Sequence, residues 1–474
     1  MVARDAAFHR QALHAFVARQ TAPTFWSMKT DASVPVQAVL ADGPVGLWGS
    51  YALSQENLLR LIPKEALEAP IISGVTATRW HMVMDPDAIR RILQARIDDY
   101  PKSELARAIL RPAIGDSMIN VHGGEWRRQR AAAAPAFQPR YVSGLGPVMT
   151  AAADRAAAEV ARHVGRAVNL LDLMVRATFE VISDVTFSGG QGINRAKVHA
   201  AIAAYGAAAG KMSFLDVLGA PDWVPRPARM RPAPALQAMK DLADQSLTCR
   251  RKEPQGGPPD LLDLMLDAKV DGLSDSDIRD NLLAFIVAGH ETTALSLAWA
   301  LYLCGKYPEV QARARSEARA ILGDAPATAN HIDRLPFIRQ IVDEALRLYP
   351  PAAFLSRMAL EPDEICGSQI LPGDTLTIPI YAVHRHRKLW PNPDQFDPDR
   401  FANPKAIKRY TYLPFGDGPR ICIGARFAIH EAVIILATLL ARYRFDPIPG
   451  KVPDPTLIIT LRPEGGVWLK PEKA

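Results

Sequence analysis

Cysteine is scarce in this chain, which has four in 474 residues. Cys249, Cys304, Cys366 and Cys422 show neither the close pairing of a disulfide framework nor the spacing of a zinc site. Internal repeats and low-complexity tracts are also missing, so a repeat or fibrous architecture is not indicated. Because 48% of the residues are hydrophobic, the chain can bury a large core and is typical of a globular protein.

The N-terminus lacks the pattern of a targeting segment. Charged residues interrupt the apolar ones throughout MVARDAAFHRQALHAFVARQ, unlike a signal peptide or a membrane anchor. The longest apolar stretch, residues 281–305, carries His290 and Glu291 at its middle, where a charge would be costly in lipid. This stretch therefore predicts a buried core helix, and the chain is predicted to be cytoplasmic without a transmembrane anchor.

Basic residues outnumber acidic ones, with a net charge of +6 and an isoelectric point near 9.1. They cluster in RRQR (127–130), HRHRK (384–388) and KAIKR (405–409). Any one such cluster is typical of a solvated surface, whereas together they can attract an acidic partner protein. No nucleic-acid recognition motif accompanies the charge, so nucleic acid is not a predicted partner.

The pattern of apolar residues changes along the chain. From Asp154 onward, the segment DRAAAEVARHVGRAVNLLDLMVRATFEVI has apolar residues at helical spacing. From about residue 353, short apolar runs interrupted by proline and glycine are typical of short strands. No linker separates two cores. The sequence therefore predicts one domain over residues 1–474, mainly α with a small β region, in which residues 1–70 match no specific pattern.

Cys422 lies in the loop of PFGDGPRICIGARFAIHEAV, residues 414–433, just before an apolar stretch with helical periodicity. Backbone N–H groups at a helix start are unpaired and favour negative charge. We therefore expect a lowered thiol pKa and a thiolate at this position. A buried structural cysteine is the alternative for a lone cysteine, but the surrounding glycines, proline and arginine favour a thiolate ligand site.

Three glycines of this loop, Gly416, Gly418 and Gly424, are predicted to permit positive φ and the close approach of a flat ligand. Arg420, two residues before the cysteine, is expected to pair with a carboxylate beside the bound group. The loop therefore predicts a site for a flat, anionic ligand.

The segment FGDGPRICIG resembles the haem-binding signature of the cytochrome P-450 family, Phe-x-x-Gly-x-Arg-x-Cys-x-Gly, at every fixed position. The resemblance covers about residues 75–470 and implies the cytochrome P-450 fold, with haem between a long central helix and the cysteine loop. It implies that Cys422 is the axial thiolate ligand of haem b, a mode of ligation general to these enzymes. Phe415, Arg420 and Gly424 are then expected beside the cofactor.

Two threonines and an acid occur inside the long apolar stretch, in AGHETT (288–293). Hydroxyls in a buried helix compete with the backbone hydrogen bonds, and Gly289 leaves room for a small ligand before Thr292. A satisfied threonine at a helix bend is the alternative for one threonine alone. The resemblance implies that Thr292 hydrogen-bonds dioxygen at the haem, that Glu291 relays protons, and that Ala288 lies against the cofactor.

Glu344 and Arg347, in EALR, share one face of a predicted helix, and by spacing alone they are typical of a surface ion pair. The resemblance adds Arg400, in FDPDRF, as a third partner. It implies a buried triad with a structural rather than a catalytic role, in which the loss of one member leaves a charge unpaired.

Trp126 and Arg130, in GGEWRRQR, lie four residues apart, a spacing that a cation–π pair also satisfies. The resemblance places both residues on the haem propionates and adds Arg357 to them. It also places the substrate entrance at residues 212–236, a stretch whose prolines predict an irregular surface loop.

Further residues are predicted to line the substrate pocket. They are Ala352, Ala353 and Phe354, with either Ile459 or Thr460 from a late strand.

The resemblance implies a soluble, bacterial-type haem-thiolate monooxygenase that inserts one oxygen atom from O2 into a small hydrophobic substrate. No flavin or iron–sulfur segment follows residue 474, so electrons from NAD(P)H are expected through a separate ferredoxin or flavodoxin with its reductase. Their predicted dock is the basic face near Arg127, Arg128 and the loop before Cys422, and the protein is expected to be a monomer. A peroxide-driven or isomerising haem-thiolate enzyme and a non-catalytic haem sensor are the alternatives.

Overall fold

Helices dominate residues 34–43, 45–187, 233–252, 260–267 and 272–474, the parts of the chain that the computed structural model describes. The α-helices within them, in chain order, are α1 (Leu47–Glu56), α2 (Pro86–Arg90), α3 (Glu104–Ile114), α4 (Gly123–Ala133), α5 (Pro139–Gly144), α6 (Gly146–Ala161), α7 (Leu170–Phe187), α8 (Ala233–Lys252), α9 (Leu261–Leu266), α10 (Asp275–Lys306), α11 (Pro308–Leu322), α12 (Pro336–Leu348), α13 (Ile380–Val383) and α14 (Ala425–Arg442).

The strands are short, and most of them come late in the chain, as the sequence predicts. They are β1 (Ile71–Val75), β2 (Arg79–Val83), β3 (Val168–Asn169), β4 (Leu355–Met358), β5 (Asp363–Ile365), β6 (Ser368–Ile370), β7 (Thr375–Ile378), β8 (Tyr443–Pro447), β9 (Asp454–Leu457), β10 (Leu461–Glu464) and β11 (Trp468–Lys473).

The largest sheet has four strands in the order β1-β2-β7-β4. β1 pairs antiparallel with β2, with Ile71 opposite Val83, while β2 and β7 run parallel. β4 pairs antiparallel with β7 and brings Arg357 opposite Leu376. This sheet therefore joins the early part of the chain to the segment that carries Arg357.

The long apolar stretch forms α10, which has 32 residues. A reciprocal cap starts it: the Ser274 hydroxyl accepts from the Asp277 N–H at 3.1 Å, and the Asp277 carboxylate accepts from the Ser274 N–H at 3.0 Å. Its most apolar window is long enough to cross a membrane, yet 72% of that window is buried inside the protein. The prediction of a buried core helix is confirmed.

α14 begins directly after the cysteine loop, as the periodicity predicts. The Ala428 N–H donates to the Gly424 carbonyl at 2.9 Å and closes the first turn. From Ala432 to Ala441 every side chain is buried, because α6, α10, α11 and α12 all pack against this helix. α10 and α14 therefore meet in the core.

Residues Pro35–Ala474 form one compact unit. The prediction of one domain over residues 1–474 stays a prediction, because residues 1–33 lie outside the described ranges. Most of the predicted entrance loop, residues 212–232, also lies outside them. Its last residues, 233–236, begin α8 rather than a loop, because proline is compatible with the first turn of a helix.

Candidate active site

A cavity of about 310 Å³ lies between α10 and the loop that precedes α14. Residues from distant parts of the sequence meet there, and most of the predicted site residues are among them. Those that line it are Trp126, Arg130, Ala288, Thr292, Ala352, Arg357, Phe415, Arg420, Cys422 and Gly424. Of the other predicted pocket residues, Ala353, Phe354, Ile459 and Thr460 are not part of its lining.

Cys422 faces this cavity from the loop before α14. Its N–H donates to the Phe415 carbonyl at 2.9 Å, and the Ile421 N–H donates to the Gly418 carbonyl at 3.1 Å. These bonds hold the loop in a tight turn beside the helix start. Cys422 is a free cysteine that is accessible through the cavity it lines.

Two of the three loop glycines have the predicted backbone conformation. Gly416 has φ +71° and Gly418 φ +75°, both in the left-handed region that favours glycine. A Cβ at Gly418 would lie 2.3 Å from the Leu93 carbonyl oxygen, so no other residue fits there without a backbone shift. The prediction is wrong for Gly424, which has φ −86° because it serves as the N-cap of α14.

The predicted direction of the Cys422 pKa is also wrong for the thiol without a bound metal. The sulfur can be reached through the cavity, but the surrounding protein keeps most bulk water away from it, and this desolvation raises the pKa of the thiol above its usual value. The Gly424 N–H and the Arg130 charge act in the opposite direction and lower the pKa, as the helix-start argument predicts, but burial dominates. A ligand that supplies positive charge at the sulfur would reverse that balance.

Arg357 and Lys102 are cations on the cavity wall, Arg357 buried and Lys102 half-buried. Arg357 is 4% exposed, and its Nε has no hydrogen-bond partner among the described residues. Burial lowers the pKa of Arg357 to about 10. Lys102 donates to the Ile119 carbonyl at 2.5 Å, and burial, aided by the charges of Arg357 and Arg420, lowers its pKa to about 7. A positive site of this kind favours an anion.

Arg420 and Arg130 complete the group of four cations. Arg420 donates to the Val121 carbonyl at 2.9 Å and lies over the Trp126 ring, 4.5 Å from its centre. Burial and the Arg357 charge lower the pKa of Arg420 to about 10, and burial also lowers the pKa of Arg130. The cation–π partners of Trp126 are therefore Arg420 and, at 5.8 Å, Arg127, rather than Arg130.

The four cations, Lys102, Arg130, Arg357 and Arg420, have no carboxylate within ion-pair distance in the part of the chain that is described. A flat group with two carboxylates, such as haem with its propionates, would supply the missing negative charge. Among the described residues, no three His, Cys, Asp or Glu side chains form a metal-ligand cluster, so iron at Cys422 needs ligands from such a group. The residues present fit haem.

Thr292 lines the opposite wall of the cavity, on α10. Its hydroxyl donates to the Ala288 carbonyl at 2.8 Å, within its own helix. Gly289 also lines the cavity, and a Cβ there would lie 3.1 Å from the Ile182 side chain. The absence of a side chain at residue 289 therefore provides room for both the cavity and Ile182.

Glu291 does not line the cavity, in contrast to Thr292. Its carboxylate lies 3.5 Å from the Arg462 guanidinium of β10, and its side chain is 25% exposed. The structure therefore separates the two members of the predicted acid–alcohol pair and provides Glu291 with a cationic partner that the sequence motif did not indicate.

The predicted triad is brought together outside the cavity. Glu344 and Arg347 are fully buried, and the Arg347 Nε and Nη2 groups donate to the Glu344 carboxylate at 2.6 and 2.8 Å. The Arg400 Nε lies 3.4 Å from the same carboxylate. Glu344 and Arg347 also bind the segment around residues 393–397: Arg347 donates to the Pro393 and Gln395 carbonyls, and the Asp397 N–H donates to Glu344.

Sequence reasoning missed Lys102 and much of the apolar lining. Lys102 lies in YPKSELARAI, which has no local feature that separates it from a surface lysine. The apolar residues have the spacing of any core helix or strand, so only packing identifies them as lining. They are Ile182, Phe285, Val342, Leu346 and Leu355.

Residues 74–471 match a family model described as Cytochrome P450. "Cytochrome P450 4A24" of Sus scrofa is 31% identical over 458 residues, which cover 90% of this chain and 88% of that protein. "Cyclooctatin synthase" of Streptomyces melanosporofaciens is 31% identical over 390 residues, covering 80% and 83%. "11-oxo-beta-amyrin 30-oxidase" of Glycyrrhiza uralensis is 30% identical over 410 residues, covering 81% and 77%. Animal, bacterial and plant proteins are all similar, so the bacterial-type prediction is not established.

Proposed function

Because the chain belongs to the cytochrome P450 family, we propose specific roles for the residues of its cavity. Members of this family are monooxygenases that oxidise hydrophobic substrates, and so is this protein. The family implies haem with a thiolate ligand and electrons from redox partner proteins. When bound, haem supplies the reductive activation of dioxygen and the transfer of one oxygen atom to the substrate. The roles below concern the protein's own side chains.

Cys422 is the residue that would bind the haem iron through its thiolate, and the four cations of the cavity wall would hold the propionates. The observation that carries this proposal is that one cavity brings together an accessible cysteine and four cations, Arg357 buried and the others half-buried, that lack carboxylate partners among the described residues. Removing these cations from water costs desolvation free energy. Two bound carboxylates offset that cost. Phe415 and Gly424 border the same ligand from the loop, and Ala288 from α10.

Thr292 is the proposed hydrogen-bond donor to dioxygen, and Glu291 is a proposed proton source for its reduction. For Thr292 to donate into the cavity, its hydroxyl must leave the Ala288 carbonyl. Glu291 must turn from Arg462 toward the cavity to take part. Glu344, Arg347 and Arg400 keep the structural role that the motif implies.

The decisive experiment is the absorption spectrum of reduced protein under carbon monoxide. The wild-type protein is expected to show the long-wavelength band of haem with a thiolate ligand, and the Cys422→Ala variant is expected to lose it. Cys249→Ala is the matched control, because Cys249 is also a free, accessible cysteine but lies on α8. If Cys422→Ala keeps the band, or the wild type lacks it, the proposed ligation is wrong.

The substrate is proposed to be hydrophobic and to contact Ala288, Phe285 and Leu355, because these side chains form part of an apolar wall of the cavity. Three classes are consistent with this wall: fatty acids, terpenoids and polyketide-like molecules. A spectral titration of the ferric protein with members of each class tests the proposal. Hydrophobic ligands are expected to displace the iron-bound water, and highly polar analogues of the same size are not.

The electron donor is proposed to be an acidic ferredoxin or flavodoxin that docks near Arg127. The Arg127 side chain is 53% exposed, and its ion pair with Asp98 is also exposed. Arg128 is expected to contribute less than Arg127, because its side chain is only 28% exposed and pairs with Asp277 at 3.0 Å. The cytoplasmic location and the monomeric state stay predictions.

Arg127→Glu is expected to slow reduction by the partner about tenfold at low salt, because a rim charge acts mainly on the association rate. Stopped-flow reduction under carbon monoxide measures this rate. Arg162→Glu is the control, since Arg162 is 74% exposed and lies just after α6, which does not line the cavity. An unchanged rate in Arg127→Glu, with an unchanged haem spectrum, would exclude this dock.

A further inference from the structure

Three side chains outside the cavity are joined by hydrogen bonds on the four-stranded sheet. Ser73 lies on β1, His81 lies directly opposite it on β2, and Asp374 immediately precedes β7. The Ser73 Oγ is 2.7 Å from the His81 Nδ1, and the His81 Nε2 is 3.1 Å from the Asp374 carboxylate. None of the three lines the cavity. A serine, a histidine and an aspartate bonded in this order have the arrangement of a nucleophilic hydrolase site.

The register of β1 and β2 explains why the serine meets the histidine. The Met84 N–H donates to the Pro70 carbonyl at 2.9 Å, which marks that pair as hydrogen-bonded. Hydrogen-bonded and non-hydrogen-bonded pairs alternate in an antiparallel ladder. Ser73 and His81 form the third pair inward from Pro70 and Met84, so they are a non-hydrogen-bonded pair. Side chains approach most closely in such pairs, which allows the short contact between the hydroxyl and the imidazole.

The positions of the protons follow from the acid. Asp374 is 3% exposed, and its carboxylate accepts from the Leu371 N–H at 2.8 Å and the Arg79 Nε at 3.0 Å. Burial acts to raise the pKa of Asp374, but these bonds and the one from His81 outweigh it and hold the pKa below its usual value. An ionised carboxylate only accepts hydrogen bonds, so the His81 Nε2 carries a proton. The His81 Nδ1 is therefore the acceptor for the Ser73 hydroxyl.

The serine is open to solvent, whereas its partners are not. Ser73 is exposed, while His81 is 3% exposed. Among the described strands, β1 is at the edge of its sheet. Because Ser73 belongs to a non-hydrogen-bonded pair, its backbone N–H points away from β2, toward that open edge. The N–H of the nucleophile itself is one of the groups that bind the oxyanion in serine hydrolases, so the edge provides a donor beside the Ser73 Oγ.

Two exposed apolar side chains adjoin the three residues. Val75 follows Ser73 by two positions, so it lies on the same face of β1, and it is 72% exposed. Leu371, whose N–H binds Asp374, is 46% exposed. These side chains favour an uncharged acyl group. Because an open surface binds such a group weakly, only esters with a good leaving group are expected to react.

We propose that Ser73 and His81 form a second catalytic site, with Asp374 as its positioning residue, which hydrolyses small activated carboxylic esters. This activity goes beyond the monooxygenase function and does not use haem. The Ser73 Oγ attacks the ester carbonyl carbon, and its proton passes to the His81 Nδ1. The bond from that carbon to the leaving oxygen breaks, and the leaving alcohol takes the proton. Water then gives a proton to the Nδ1 and attacks the acyl-serine, which releases the acid and restores Ser73.

A fluorophosphonate probe tests the reactivity of Ser73 in the wild-type holoenzyme. The activated hydroxyl displaces fluoride from the probe, and mass spectrometry of peptides locates the adduct. Ser73 is expected to carry it, and His81→Gln is expected to slow labelling about 100-fold, because the general base is lost. Ser276 is the control within the same sample: it is exposed, but its hydroxyl bonds to the Ser274 hydroxyl rather than to a histidine. No adduct on Ser73, or equal labelling of Ser73 and Ser276, overturns the proposal.

Hydrolysis of 4-methylumbelliferyl acetate, followed by fluorescence, tests turnover. Ser73→Ala removes an exposed side chain and is expected to lower the rate about 100-fold. His163→Gln is the control for background reaction at a surface histidine, because His163 lies 3.7 Å from Glu159 and has no serine partner. Its rate is expected to equal that of the wild type. An unchanged rate in Ser73→Ala would show that Ser73, His81 and Asp374 only join the strands.

Asp374→Asn tests the positioning role. Asp374 acts through His81 and does not touch the ester, so kcat is expected to fall about tenfold while KM stays unchanged. An unchanged kcat would remove Asp374 from the site. Failure of the monooxygenase function has a separate signature: the wild type would lack the thiolate band under carbon monoxide, while Ser73 would still be labelled.

Discussion

Two fully buried glutamates, Glu344 on α12 and Glu431 on α14, have opposite surroundings. Glu344 accepts two hydrogen bonds from Arg347 and one from the Asp397 N–H, and Arg400 lies 3.4 Å away. Neither oxygen of Glu431 makes a well-formed hydrogen bond among the described residues, and the Thr293 hydroxyl is the side chain that acts on this carboxyl by lowering its pKa. Burial removes water from both carboxyl groups, but only Glu344 gains protein hydrogen bonds in place of those to water.

This difference in hydrogen-bond partners distinguishes Glu344, which stabilises the fold, from Glu431, which does not. Glu344 is fixed between two arginines and a backbone N–H, so its charge holds α12 to the segment around residue 397. Glu431 contributes no such bond, and burial raises the pKa of its carboxyl well above 4.5, which favours the neutral form. A buried acid that is fully hydrogen-bonded stabilises the fold, whereas one without such bonds is destabilised when it is charged. Four measurements test this contrast, in order of decreasing effect.

The largest effect is expected from Glu344→Gln, which leaves the Arg347 charge buried without its anion. Breaking one side of a buried pair costs about 3–5 kcal/mol of unfolding free energy. Urea denaturation of the holoenzyme measures it, with Glu56→Gln, a side chain 63% exposed, as the control. A loss below about 1 kcal/mol would mean that Glu344 is no more structural than an exposed pair.

Glu431→Gln is expected to change how stability depends on pH. The pKa of Glu431 is raised in the folded state above the usual 4.5, so its stabilising contribution is fully present below 4.5 and is lost as the pH rises toward the folded-state pKa. The stability of Glu431→Gln relative to wild type should therefore increase by about 1.4 kcal/mol per pH unit above 4.5. Denaturation at several pH values measures the slope, and parallel curves would show that Glu431 is ionised in the folded protein.

Arg400→Met is expected to lower the free energy of unfolding by about 2 kcal/mol, which is less than the effect of Glu344→Gln. Glu344 keeps both bonds from Arg347 and the one from the Asp397 N–H. The contact at 3.4 Å is lost, together with the bonds that Arg400 donates to the Pro391 and Asn392 carbonyls at 2.7 and 3.1 Å. The same denaturation series measures it. A cost equal to that of Glu344→Gln would show that the three residues act as one unit rather than as a pair with a weaker third partner.

Arg462→Gln is expected to have the smallest effect on stability, about 0.5 kcal/mol, because partly exposed ion pairs contribute little. The Arg462 side chain is 45% exposed, and it lies 3.5 Å from Glu291. Thermal denaturation measures the change. A cost comparable to that of Arg400→Met would place Glu291 with the structural acids rather than with the proton sources.

Most of the site residues that the sequence predicted meet in the cavity. The motifs around Cys422, Thr292 and Trp126 each have a local signature, and the structure brings all three to one cavity. The buried helix α10 and the helix after Cys422 were predictable for the same reason, since capping and apolar spacing act over a few turns. The backbone of Gly424 and the direction of the Cys422 pKa were predicted wrongly, because the N-cap geometry and the burial of the thiol depend on the surrounding fold.

The amino-acid order by itself determined the cysteine loop, because left-handed glycines and an adjoining helix start are properties of consecutive residues. Only the tertiary structure decided which charges are paired. Lys102 joins the cavity cations, Arg462 binds Glu291, and Glu431 makes no well-formed hydrogen bond among the described residues, although nothing near these residues in the sequence distinguishes them. The physical reason is desolvation: the energy of a charge depends on the groups that exclude water from it, and in this fold those groups come from segments far apart in the chain.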